Sequence, residues 1–170
     1  MTEPVSVSRR IAAPAAVIFA VLADPARHPD LDGSRMLCEP VDPRPVEKAG
    51  DVFVMRMRND FMGDYVMTNR VAEFERDKLI SWDPELTEAS REEDRHLVGV
   101  RGAMRWSYEL TPDGEGATVV TETYDCSGVP EERRQMLRDG EVWRNSMKRS
   151  LENLDRLSTG QLSTGQQENA

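Results

Sequence analysis

Val5, Val7 and Ile11 hold odd positions while Ser6, Ser8 and Arg10 hold even ones, a period of two that predicts a strand over 5–11. Pro14 then suits the first turn of a helix, where its missing N–H costs nothing. Val17, Ile18, Val21 and Leu22 give that helix, over 14–23, one apolar side. Asp24–Pro25 ends it, because the residue before a proline is pushed out of the α region. Residues 25–33 read as a second short helix or turn. Strands are then predicted at 35–41, 51–58, 65–75, 78–82, 100–111 and 117–125. Gly63-Asp64 and Asp77 supply two of the turns, and Pro112-Asp113-Gly114-Glu115-Gly116 is the clearest hairpin signal. Between 83 and 99 charged residues crowd out apolar ones, which predicts a long exposed loop. From Pro130 the period becomes helical. Met136, Gly140, Trp143, Met147, Leu151 and Leu154 fall on one face of a predicted helix over 131–157. The polar residues 158–170, with LSTGQ at both 157–161 and 162–166, predict a disordered tail.

This order predicts an α+β fold. A seven-stranded, curved antiparallel sheet wraps a long C-terminal helix, with two short helices after the first strand. One helix is too narrow to fill a strongly curved sheet, so a void is expected between them. Alternation assigns its walls. Arg56 and Arg58 point outward in 51–58, so Phe53, Met55 and Met57 face in. Arg101, Arg105 and Glu109 point outward in 100–111, so Met104, Trp106 and Tyr108 face in. Met67, Asn69, Trp82 and Thr121 join them from the other strands, and Met136, Trp143 and Met147 from the helix. Methionine and aromatic side chains in this number suit a pocket that adapts to an apolar ligand.

Composition narrows the functions. The 170 residues are expected to form one domain over 1–157. A net charge of −9 argues against nucleic acid and against anionic membrane surfaces. No apolar run approaches the ~20 residues of a membrane span, and the first residues do not read as a signal peptide, so a cytoplasmic protein is expected. Cys38 and Cys126 lack metal-ligand spacing, and no cofactor motif or metal site is predicted. Of the two histidines, His96 is expected in solvent and His28 at the surface or at an entrance to the void.

The element order, the opening VSVSRRIAAPAAVIFAVLADPARHPDLDG, the segment YVMTNRVAEFERDKLISW and the close VWRNSMKRSLENLDRL resemble the START-related superfamily known as SRPBCC, and within it the polyketide cyclase/dehydrase-type branch. The resemblance covers about 5–157. It implies a helix-grip fold with a deep cavity for hydrophobic molecules such as lipids or polyketides. Members often carry a tryptophan where this chain has Leu31. Related aromatase/cyclases place an arginine in the pocket, whereas Arg56, Arg101 and Arg105 all read outward here. The leading expectation is a binding or carrier protein for a hydrophobic small molecule. The alternatives are a polyketide cyclase or aromatase, with Tyr108, Asn69 or His28 as acid/base groups, and a protein-interaction module using 83–99.

Overall fold

The computed structural model describes residues 2–160. Strand β1 (Val5–Ile11) leads into helix α1 (Ala15–Leu22), which Pro14 starts from an extended conformation. Asp24 caps the 3₁₀ turn Pro25–Arg27 by accepting a hydrogen bond from the Ala26 N–H, and the short helix α2 (His28–Leu31) follows. Then come β2 (Leu37–Val41), β3 (Val52–Asn59), β4 (Gly63–Glu75), β5 (Leu79–Ala89), β6 (Arg105–Pro112) and β7 (Thr118–Asp125). All pairs are antiparallel, in the order β1-β7-β6-β5-β4-β3-β2. The α1–α2 connection thus carries the chain from one edge of the seven-stranded sheet to the other.

The chain closes with α3 (Glu131–Met136), a 3₁₀ turn over Arg138–Trp143, and α4 (Arg144–Thr159). Helix α4 packs on β1, α1 and α2. Its Leu151 and Leu154 bury with Ile11, Ile18, Leu22 and Val120. Gly33 lets the turn after α2 lie on α4, because a Cβ there would meet Ser150 N at 2.6 Å.

Three expectations are corrected. Residues 83–89 are not loop but the second half of β5. Asp83 and Glu85 face outward onto Arg105 and Arg101, both at 2.7 Å, while Pro84 and Leu86 face in. Pro84 is tolerated because β6 pairs with β5 only as far as Trp82, leaving an edge beyond. The remainder of that segment holds a short exposed 3₁₀ helix, Glu92–Leu97. The predicted helix over 131–157 is broken, because Arg138, Asp139 and Gly140 adopt left-handed conformations. Gly140 sits there against Tyr124, where a Cβ would meet the ring at 2.8 Å. Finally, α4 runs to Thr159, and Gly160 caps it at a φ of 75°. The predicted tail therefore starts too early, and its residues 161–170 lie outside those described.

Candidate functional site

Between the concave face of the sheet and α4 lies a cavity of about 380 Å³. Strand β3 supplies Phe53, Met55 and Met57, and β4 supplies Met67 and Asn69. Trp82 lines it from β5, Trp106 and Tyr108 from β6, with Met104 just before that strand. Trp143 and Met147 close it from the helical side. Seven of the nine methionines line it, Met36 and Met62 among them.

The aromatic side chains form two walls. His28 stacks on Trp82 with ring centres 5.4 Å apart, and Phe53 meets both edge-on at 5.2 and 5.4 Å. Trp106 lies 4.4 Å from Tyr124, and Trp143 meets both edge-on at 6.4 Å. The polar groups between these walls are mostly satisfied. The Tyr124 hydroxyl donates to Met104 Sδ at 3.0 Å, and Asn69 Nδ2 to the Phe53 carbonyl at 3.5 Å. The carboxylate of Asp32 accepts from the Ser34, Met36 and Leu37 N–H groups and from the Ser34 hydroxyl.

Some residues stand elsewhere than the sequence predicts. His28 is not at the surface. It is 4% exposed and its Nε2 donates to the Leu22 carbonyl at 2.8 Å, while burial lowers its pKa below 6.5. Met136 is 79% exposed, because the left-handed residues after it turn its face away from the sheet. Thr121 faces outward, where its hydroxyl pairs with that of Ser8 at 2.8 Å, as Thr123 pairs with Ser6 at 2.9 Å. Strand β7 therefore has the opposite phase to the one predicted, and Thr118, Val120, Glu122 and Tyr124 point inward. Arg56, Arg101 and Arg105 all lie on the outer side in ion pairs.

The phase of β7 puts Glu122 in the cavity wall, 3% exposed, between Val7 on β1 and Tyr108 on β6. Burial pushes its carboxyl pKa up to about 8, against the pull of the Tyr108 hydroxyl, while Asp32 pushes it further up. Oε2 makes no hydrogen bond. Burial likewise raises the hydroxyls of Tyr108 and Tyr124. Among the described residues no group of three or more His, Cys, Asp or Glu side chains can hold a metal ion. No helix among them is long and apolar enough to cross a membrane.

Residues 2–159 match the family model described as polyketide cyclase / dehydrase and lipid transport. The chain belongs to this family. Over 122 residues it is 35% identical to the uncharacterized protein Rv0088 of Mycobacterium tuberculosis, covering 71% of this chain and 46% of that protein. The chain thus spans about half the length of the curated relatives it matches. The fold is shared with protein Ms6760 of Mycobacterium smegmatis, at a TM-score of 0.67 and 17% identity over 94% of this chain and 93% of that one. It is shared also with DynU16, encoded in the dynemicin biosynthetic locus, at a TM-score of 0.56 and 20% identity over 92% and 48%. The helix-grip architecture is that of the family. Family and cavity together support a role in hydrophobic-ligand binding or cyclisation.

Proposed function

We propose that this protein binds a hydrophobic small molecule in the cavity and carries it unchanged. The observation behind this reading is the size of the void. About 380 Å³ between sheet and helix far exceeds the water-sized voids of a close-packed core. The volume also falls within the ~300–1,000 Å³ of ordinary ligand sites. Its soft methionine and aromatic walls suit an apolar guest whose shape is not matched rigidly.

The carrier reading is favoured over the cyclase reading because the histidine is committed to the Leu22 carbonyl, the arginines of β3 and β6 face outward, and Arg133, which lines the cavity from α3, is exposed. The interaction reading keeps a shorter segment, because 83–89 is strand and only the exposed stretch around Glu92–Leu97 stays outside the sheet. The test is a titration of tryptophan emission with a panel of lipids and polycyclic aromatics, followed by mass analysis of the recovered ligand. Quenching is expected, reduced in Trp106→Phe, with the ligand recovered intact. Conversion of a polyketide-like member of the panel would favour the cyclase.

A further inference from the structure

Among the described residues that line the cavity, two buried side-chain polar atoms make no hydrogen bond, Glu122 Oε2 and Trp143 Nε1. The indole N–H of Trp143 is still close enough to the Tyr124 hydroxyl to influence it. The carboxyl of Glu122 has the Tyr108 hydroxyl beside one oxygen, and the other is free. We infer that Glu122 selects the ligand, donating a hydrogen bond to an uncharged oxygen of a ketone, ester or phenol on an otherwise apolar molecule, and rejecting free carboxylates.

The argument rests on the reading of the cavity as a ligand site and on the charges around it. A carboxylate buried without a cation is strongly disfavoured, so the group keeps its proton and offers an O–H. Among the described residues no basic side chain is one of the groups that act on it. The charged neighbour it feels is Asp32, in the turn after α2, which opposes a second negative charge. Arg133 lines the cavity from α3 but is exposed, and its charge acts on Tyr124. The remaining titratable groups on the wall stay neutral near pH 7. Burial lowers the pKa of His28 on α2, and it raises those of Tyr65 on β4, Tyr108 on β6 and Tyr124 on β7. A guest carboxylate beside Glu122 would therefore meet an uncharged acid and the opposing charge of Asp32, with no cation acting on that spot. A guest carbonyl would accept from the Glu122 carboxyl, whose Oε2 has no partner in the fold.

Three fluorescent probes of one scaffold separate the possibilities: dimethylaminonaphthalene, its propionyl ketone and its carboxylate. At about pH 6.5, below the pKa of about 8 for Glu122, the ketone should bind about tenfold tighter than the parent, the worth of one hydrogen bond to a buried group. The carboxylate should bind more weakly than the ketone. Its emission should mark the bound ketone as hydrogen-bonded. Glu122→Met should bind ketone and parent alike, and Glu122→Gln, whose amide still donates, should keep the preference. At about pH 9 the wild-type preference should fall while that of Glu122→Gln persists. Equal binding of ketone and parent by the wild type, survival of the preference in Glu122→Met, or tightest binding of the carboxylate would each overturn the inference while leaving the cavity a ligand site. Failure of all three probes to bind would instead remove the ligand site itself.

Discussion

Replacing Glu122 by glutamine should stabilise this protein, and by an amount that grows with pH. In the unfolded chain the carboxyl ionises near its ordinary value of 4.5, whereas in the fold burial holds it neutral up to about 8. Below about pH 4.5 both states are protonated and the side chain adds no pH-dependent penalty. Between about 4.5 and 8 the unfolded state loses its proton and the folded state keeps it, so stability falls by about 1.4 kcal/mol per pH unit. The loss reaches about 3 kcal/mol at pH 7 and levels off near 5 kcal/mol above pH 8. Glutamine has nearly the same shape and no charge to bury, so the variant escapes this loss. Urea unfolding of both proteins from about pH 4.5 to 9 measures it directly, and at pH 7 the melting temperatures should differ by roughly 6–12 °C. A difference that stays constant with pH, or that favours the wild type above pH 7, would refute the assignment of Glu122 as a buried, uncompensated acid.

The imidazole of His28 should remain neutral as pH falls through 6.5, because burial lowers its pKa, so its ring NMR shifts should stay flat there; a midpoint at or above 6.5 contradicts its placement. The stability His28 contributes is present above pH 6.5 and is lost as pH falls further, since only the unfolded state gains the proton. Gly33→Ala should cost about 3 kcal/mol or more in urea denaturation, because its Cβ would press on the α4 backbone at Ser146 and Ser150. A loss under about 1 kcal/mol would mean that the turn after α2 can lift away from α4.

Period and turn chemistry carried most of this fold in the sequence. The alternation of 5–11 and 51–58, and the glycine-rich hairpin at 112–116, are local signals, and the structure keeps them. What failed were positions where tertiary context outweighs local pattern. The run 83–89 looks like loop because its outward positions are acidic, and only their pairing with Arg101 and Arg105 makes a strand of it. Gly140 sits in register with the apolar stripe of the last helix, yet it ends the helical path, since the stripe alone does not reveal the Tyr124 ring behind it. Thr121 and Glu122 exchange faces for a related reason. A threonine pair reads as the more buried choice, while a glutamate reads as exposed, and the inward phase of Val120 and Tyr124 was the signal that could have placed Glu122 in the wall.

The central claim is that the void between sheet and helix is a binding site rather than loose core, and a cavity-filling substitution tests it most directly. Met67 is half-buried on β4, lines the void, and faces Met55 and Leu86 on the neighbouring strands. Met67→Trp should occupy that space, abolish the fluorescence response to the propionyl-naphthalene ketone, and leave the midpoint of urea unfolding unchanged or raised. A loss of about 1–3 kcal/mol, the mark of an overpacked core, together with a wild-type protein that no apolar probe perturbs, would contradict it.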